Sequence, residues 1–119
     1  MILVNKTKGV VLAQRVEEAA NFSSRLVGLL GRASMDTDEA LHITRCGSVH
    51  TCFMRFAIDV LFMDPHNRVL KAVENLAPYR ICFGPWRTSS VWELPAGRID
   101  DSGSCVGDIL AVILDGFEE

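Results

Sequence analysis

The sequence lacks the features by which several classes of protein are recognised. No apolar run approaches the roughly 18 residues that a membrane-spanning helix requires. It has no run of basic residues, and its net charge of −3 argues against nucleic acid as a partner. The start, Met1 to Lys6, has four apolar residues followed by polar ones, whereas a signal peptide needs a basic start and an apolar core of about 7 to 15 residues. We therefore expect a cytoplasmic protein with no membrane span and no nucleic-acid partner.

The sequence also lacks the closely spaced cysteines and histidines that are typical of metal sites. No Cys-x-x-Cys or His-Glu-x-x-His spacing occurs. If residues 49–54 form a strand, His50, Cys52 and Met54 share one face as a soft ligand set that suits copper. Buried cysteine and methionine are equally ordinary core residues, and we predict no metal and no cofactor. Four cysteines permit two disulfides, but without an export signal free thiols are expected at Cys46, Cys52, Cys82 and Cys105.

What the sequence does contain is a series of short, apolar, strand-like runs. A chain of 119 residues with 49% hydrophobic residues predicts one domain, residues 1–119, with its own core. Turn signals separate the runs, including a tight turn at 64–67. Strands are predicted near residues 2–5, 10–16, 40–45, 49–54, 58–63, 68–74, 81–83, 90–94 and 109–114, with one helical turn near 95–101.

One stretch has helical rather than strand periodicity. Phe22, Leu26, Leu29 and Leu30 are spaced as one apolar helical stripe, and Asn21 is a suitable N-cap. The sequence therefore predicts a mainly β fold with one short helix near residues 21–30. The expected architecture is a compact antiparallel or mixed β-sandwich, or a partly closed, jelly-roll-like barrel.

The stretch from Ser48 to Asp64 contains polar groups within apolar runs. The clearest case is Asp59, which follows Ile58 and precedes Val60, because an unpaired buried carboxylate costs several kcal/mol. A partner or a water-filled pocket is therefore predicted beside it. His50, Met54 and Arg55 lie in the same stretch.

Glu93 interrupts a second apolar run, between Trp92 and Leu94. Two acids in apolar surroundings can differ in pKa and serve as acid and base. The alternative is that Asp59 and Glu93 pair with arginines or backbone N–H groups and only fix the strand register. Trp86 and Trp92 together could form an aromatic wall for sugars or other small polar ligands, an arrangement that is equally common in cores.

Three ordered motifs resemble the uncharacterised bacterial and archaeal family catalogued as domain of unknown function 192. They are R-x-x-G-L-L at residues 25–30, V-H-T-x-F-M-R-F-x-I-D-V-L-F-x-D at 49–64, and E-L-P-A-G at 93–97 with a later Gly107-Asp108. The resemblance implies a compact jelly-roll or sandwich fold with one short helix early in the chain. It implies no activity, substrate or cofactor. Many members of the family carry an export signal or a lipid anchor.

Three hypotheses about function follow. The first is a domain that binds a small polar molecule, with carbohydrates among the candidates. The second is a hydrolase that uses paired carboxylates or His50, and the third is a structural or interaction module without a ligand. Whether the protein is an enzyme, and its oligomeric state, stay open at this point. The residues expected to bind a ligand are His50, Met54, Arg55, Asp59, Trp92 and Glu93.

Overall fold

Strands dominate the computed structural model, which describes residues 1–19 and 32–114. The strands are β1 (Ile2–Asn5), β2 (Val10–Ala13), β3 (Arg15–Ala19), β4 (Glu39–Thr44), β5 (Ser48–His50), β6 (Ile58–Met63), β7 (Val69–Leu76), β8 (Ile81–Phe83), β9 (Ser90–Pro95) and β10 (Leu110–Ile113). One short helix, α1 (Arg98–Ser102), lies between β9 and β10. Within the described ranges, no helix has the length and apolarity needed to traverse a bilayer.

A five-stranded sheet of order β3-β4-β9-β6-β7 forms the centre of the molecule. Its inner strands β6 and β9 are buried at every position. Strands that are covered on both faces read as continuous apolar runs, and this explains the uninterrupted hydrophobicity of residues 58–63.

Different elements cover the two faces of this central sheet. On one face, the three-stranded sheet β10-β1-β2 and α1 pack around Leu3, Leu12, Leu61, Trp92 and Ile99. We call this face the α1 side. On the other face, the two-stranded β5–β8 ribbon contributes Val49 and Cys82 to a second core cluster, which also contains Met54, Val60 and Phe62. We call it the ribbon side. Two packed interfaces on one sheet give a layered, sandwich-like architecture.

Most strand pairs among the described residues are antiparallel, but β3 and β4 are parallel. Parallel neighbours need a crossover connection of a dozen or more residues. The connection here runs through residues 20–38, which is long enough.

The mainly β class and the sandwich architecture predicted from the sequence are confirmed. The strand predicted for 10–16 is divided into β2 and β3, and the helical turn near 95–101 is α1. The helix predicted for 21–30 lies outside the described residues. The strand predicted for 49–54 is wrong after His50, because β5 ends there and residues 51–57 form a loop.

Candidate functional site

Thr51 is the hub of a loop pair at the end of the β5–β8 ribbon. Its side chain is fully buried; its hydroxyl donates to the Ala77 carbonyl at 2.5 Å and accepts from the Arg80 amide at 2.9 Å. Its own amide donates to the Arg80 carbonyl at 2.8 Å, and its carbonyl accepts from the Tyr79 amide at 2.9 Å. These bonds hold residues 51–57 and 77–80 together. We call these two segments the clamped loops.

The clamped loops present two aromatic side chains to solvent. Phe53 is 71% exposed and Tyr79 60% exposed, and their rings meet edge to face with centroids 5.8 Å apart. Both residues have left-handed backbone, with φ of 67° and 62°. This conformation costs an L-residue roughly 1–2 kcal/mol. Such strain persists only where neighbouring structure imposes it, and it is concentrated at functional sites.

The ribbon extends this exposed apolar surface. Val49 and Cys82 point into the core, so the alternate residues of both strands point outward. Ile81 and Phe83 are therefore exposed, and Trp86, in the following loop, is 93% exposed. Within residues 1–19 and 32–114, all four exposed aromatic side chains belong to this surface or its loops.

Four arginines and no carboxylates accompany these aromatic residues. Segments 40–58 and 75–92 contain no aspartate or glutamate, so they carry +4 while the rest of the chain carries −7. The four arginines of these two segments are all exposed. We define the aromatic–arginine face as Phe53, Tyr79, Ile81, Phe83 and Trp86 together with Arg45, Arg55, Arg80 and Arg87.

A shallow depression of about 430 Å³ lies on the outer surface of the ribbon. Apolar groups of Ile81 and Phe83 line it beside polar groups of Arg45, Ser48 and His50. Pockets of this mixed character, mostly apolar with a few polar groups, are typical of small-ligand sites.

The imidazole of His50 is oriented by the loop that follows it. Its Nδ1 accepts a hydrogen bond from the Cys52 amide at 3.2 Å. A neutral ring with this bond carries its proton on Nε2. Because β5 ends at this residue, the strand alternation that would align His50, Cys52 and Met54 as a ligand set is absent. Among the residues described, no group of three or more His, Cys, Asp or Glu side chains is arranged to hold a metal ion.

The six residues expected to bind a ligand do not form one cleft. Arg55 is exposed in the clamped loops, His50 lines the depression, and Met54 is buried in the core of the ribbon side. The remaining three lie on β6 and β9 and are buried in the central sheet. Of the six, His50 and Arg55 therefore lie at or near the surface, and the other four are core residues.

Asp59 and Glu93 point to opposite faces of the sheet. In the β6–β9 register Asp59 faces Leu94, whereas Glu93 faces Val60. Side chains that are directly opposite in an antiparallel pair share a face, so Asp59 lies on the α1 side and Glu93 on the ribbon side. Both are completely buried. This arrangement does not bring the two acids together on one substrate.

The predicted partner of Asp59 exists, and it is backbone. One carboxylate oxygen accepts from the Asn75 amide at 2.9 Å, and the other accepts from the Ile99 amide at 2.8 Å. The acid thus joins β6 to the end of β7 and to α1. These contacts fit the alternative in which a buried acid fixes the structure.

Trp92 belongs to a buried stack and not to an open wall. Its ring packs on His42 with centroids 4.2 Å apart, and His42 Nδ1 lies 3.1 Å from Glu18 Oε2. The stack borders a cavity of about 250 Å³ on the α1 side. Since Trp92 is buried and Trp86 is exposed, the two tryptophans do not form the predicted wall.

A second buried cluster of polar groups is centred on the carboxylate of Asp108. Its carboxylate accepts from the side-chain amide of Asn5 at 2.8 Å, from the backbone amide of Cys105 at 3.0 Å and from Lys8 Nζ at 3.2 Å. Burial raises the pKa of Asp108, but these hydrogen bonds together lower it by more than burial raises it. The pKa of Asp108 therefore lies below its ordinary value of 3.8. The pKa of Lys8 is raised by hydrogen bonds to the Cys105 thiol and to Asp108. The cluster ties β1 to the turn before β10.

Sequence reasoning missed Thr51, Tyr79, Ile81 and Phe83. One signal was available: residues 75–92 contain several aromatic residues and two arginines but no acid. The clamp itself had no local signal, because Thr51 and Ala77 are 26 residues apart.

Comparison with known proteins shows where the chain belongs. It is 32% identical over 111 residues to a UPF0127 protein of Thermococcus sibiricus, covering 90% of this chain and 71% of the relative. It is also 32% identical to a UPF0127 protein of Pyrococcus furiosus, covering 91% of this chain and 95% of that relative.

Two solved structures have the same fold. A protein of unknown function from Novosphingobium aromaticivorans matches with a TM-score of 0.78 and 19% identity, over 93% of this chain and 83% of the other. A Sinorhizobium meliloti protein, described as a "putative transcription regulator", matches with a TM-score of 0.78 and 26% identity, over 92% and 89%. The model of the family described as DUF192, Uncharacterized ACR, matches residues 3–112. The chain therefore belongs to the DUF192 family.

Proposed function

We propose that the protein is a binding domain for a small anionic molecule that carries a ring, such as a sugar acid or a nucleotide. The ligand lies on the aromatic–arginine face, in and beside the depression on the β5–β8 ribbon. The proposal retains His50 and Arg55 from the sequence-based site and assigns buried Asp59, Trp92 and Glu93 to the framework. Cytoplasmic location stays a prediction.

The observation that carries the proposal is the clamped pair Phe53 and Tyr79. Hydrogen bonds to Thr51 impose a strained backbone at Phe53 and Tyr79, and the result is two aromatic rings exposed to water. Exposing these rings gains nothing for the core, and the strain opposes folding. A rigid aromatic surface does favour binding, since little side-chain freedom is lost when a ligand stacks on it.

The charge of the ligand follows from the arginines. Arg55 lies two residues after Phe53, and Arg80 directly follows Tyr79. Segments 40–58 and 75–92 contain no carboxylate that would compete for these arginines. Arginine forms paired hydrogen bonds with carboxylate and phosphate groups. A ring for the aromatic side chains and an anionic group for the arginines therefore define the ligand class.

A solution NMR titration tests this proposal. Glucuronate, deoxythymidine monophosphate and uncharged glucose are each added at millimolar concentration to the labelled protein. We expect the two anions to shift the amide signals of Phe53, Tyr79 and Ile81, and glucose to act more weakly. A ligand at 100 times its Kd also stabilises the fold by about 2.7 kcal/mol, which a thermal melt detects.

Matched variants locate the site. Arg55→Gln and Tyr79→Ala should each weaken binding by about 5- to 10-fold or more, because each removes one contact. Lys6→Gln changes the same charge in the β1–β2 turn on the α1 side and should leave binding unchanged. If none of the three compounds shifts these signals, the module has no such ligand, and a structural or interaction role replaces the proposal.

A further inference from the structure

The aromatic–arginine face is longer than a single small ligand requires. It begins at Phe53 and Tyr79, follows Ile81 and Phe83 along β8, and continues to Trp86 in the next loop. Residues two apart in a strand are separated by about 6.6 Å on the same face. A run of apolar side chains of this extent, which residues 1–19 and 32–114 leave exposed, is typical of a binding surface.

From this geometry we infer that the natural ligand is a stretch of single-stranded nucleic acid. The inference rests on the proposed function and extends it, since a nucleotide is one of the two small ligands named there. Successive bases stack on the aromatic side chains, and the arginines contact the phosphates between them. Stacking of this kind tolerates any base sequence.

The distribution of charge removes the earlier argument against nucleic acid. The net charge of −3 is an average over two unlike parts of the chain, one with +4 and one with −7. The positive part contains arginine only, whose planar group bonds phosphate at two points and stacks on bases. Arg55 and Arg80 follow Phe53 and Tyr79 closely in sequence, whereas Arg45 and Arg87 belong to the Phe83 end, because Ser48 pairs with Phe83. Positive charge therefore lies near both ends of the apolar run.

Two other occupants fit the face less well. In a lipid surface, the hydroxyl of Ser48, which lies opposite Phe83 on the ribbon, would lose its contact with water. A second copy of the chain docked face to face would place four arginines against four arginines. Polar groups between aromatic side chains, inside a shallow depression, instead suit bases that carry their own hydrogen-bonding edges.

The chain contains its own reporter for this interaction. Trp86 is 93% exposed in the loop that follows β8, whereas Trp92 is buried against His42. A base that stacks on the face changes the emission of Trp86 and not that of Trp92. A Trp86→Phe variant retains an aromatic ring there and removes the signal, which identifies its source.

The test is a fluorescence titration of the full chain with a twelve-residue thymidine oligonucleotide at several salt concentrations. We expect quenching of Trp86 and an affinity at least 10-fold higher than for deoxythymidine monophosphate. A single strand that contacts Z charges gives a slope of about −0.7Z in log K against log salt, so four arginines predict about −3.

Variants of exposed residues make the expectation specific. Phe83→Ala should weaken binding by roughly 5- to 150-fold, the range for loss of one stacked base, with the slope unchanged. Arg87→Gln should reduce the slope by about 0.7, and Lys6→Gln should change neither quantity. Circular dichroism of each variant verifies that it is folded.

Each alternative outcome has one interpretation. If the mononucleotide binds and the oligonucleotide binds no better, the inference is overturned while the proposed function stands. If vesicles of phosphatidylserine and phosphatidylcholine, or polyglutamate, bind and the oligonucleotide does not, the partner is a membrane or an acidic protein and the inference fails. If neither nucleotide nor glucuronate binds, the proposed function fails with it. The deciding measurement is the salt-dependent titration of Trp86 fluorescence with thymidine oligonucleotide, with Phe83→Ala beside Lys6→Gln.

Discussion

The two sides of the central sheet present opposite physical situations. On the α1 side, polar groups are buried and the chain itself supplies their partners: Asp59 accepts two backbone amides, and Asp108 accepts Asn5, Cys105 and Lys8. On the ribbon side, aromatic side chains are exposed and the described part of the chain does not cover them.

The two sides therefore illustrate two different roles: buried acids that stabilise the fold, and exposed aromatic rings that favour binding. A buried acid with hydrogen bonds to distant backbone stabilises a particular arrangement of strands. An exposed ring held on strained backbone opposes stability, and binding is a use that explains it. Substitutions should therefore lower stability on the α1 side, while substitutions of exposed groups on the ribbon side should alter binding.

The largest effect is expected from Asp59→Ala. It leaves the amides of Asn75 and Ile99 without their acceptor, and each buried group without a partner costs about 1 to 3 kcal/mol. We expect a loss of about 2 to 6 kcal/mol in the free energy of unfolding, measured by urea denaturation. Asp100→Ala, at an exposed position in α1, is the control. A loss under about 1 kcal/mol for Asp59→Ala would contradict the structural role.

The next effect concerns acid. A folded-state pKa below 3.8 means that Asp108 stabilises the protein above that pH and loses this contribution as the pH falls further. We expect Asp108→Asn to cost about 1.5 to 3 kcal/mol at neutral pH, the range for hydrogen bonds to a charged group. The difference from the unmodified protein should shrink below pH 3.8. Urea denaturation at several pH values measures it; a difference independent of pH would show that the charge is irrelevant.

A smaller loss is expected where the ribbon meets the core. A Cβ on Gly84 would clash with Phe62 Cδ1, whereas a Cβ on Gly47 would have no neighbour within 4 Å. Gly84→Ala should therefore cost about 1 to 3 kcal/mol by overpacking, and Gly47→Ala should be close to neutral. Thermal unfolding distinguishes them. Equal melting temperatures for the two variants would mean that the ribbon moves freely against Phe62.

The smallest effect, and the sharpest for the comparison, is expected from Phe53→Asn. Asparagine tolerates left-handed backbone, so relief of strain should offset the lost contact with Tyr79. We expect stability to stay constant or rise by up to about 1 kcal/mol in urea denaturation, while ligand binding weakens. The control is Phe83→Asn. Phe83 has the negative φ of an ordinary strand residue, so this substitution relieves no strain. Equal losses in both variants would remove the argument from strain.

The class of fold and most strand positions were predictable from the sequence. The alternation and apolar runs that define β4, β6 and β9 are properties of neighbouring residues, so they appear in the sequence directly. The need of Asp59 for a partner was equally predictable, because it follows from the cost of burial.

What the sequence could not supply was the pairing of distant residues. Thr51 was predicted to lie within a strand, yet its bonds to Ala77 and Arg80 end the strand and form the clamped loops. Likewise, Asp59 and Glu93 each interrupt an apolar run, and only the register of β6 against β9 shows that they face opposite ways. The face on which a strand residue lies depends on tertiary contacts.

The pairing of β1 with β10 determines the order in which the molecule can assemble. Ile2 pairs with Ile113, and Asn5 pairs with Leu110. During synthesis on a ribosome, β1 has to wait for residues more than a hundred positions later before that ladder forms. Contacts of such sequence separation slow folding, and until then β1 exposes an unpaired edge that is open to association with other chains.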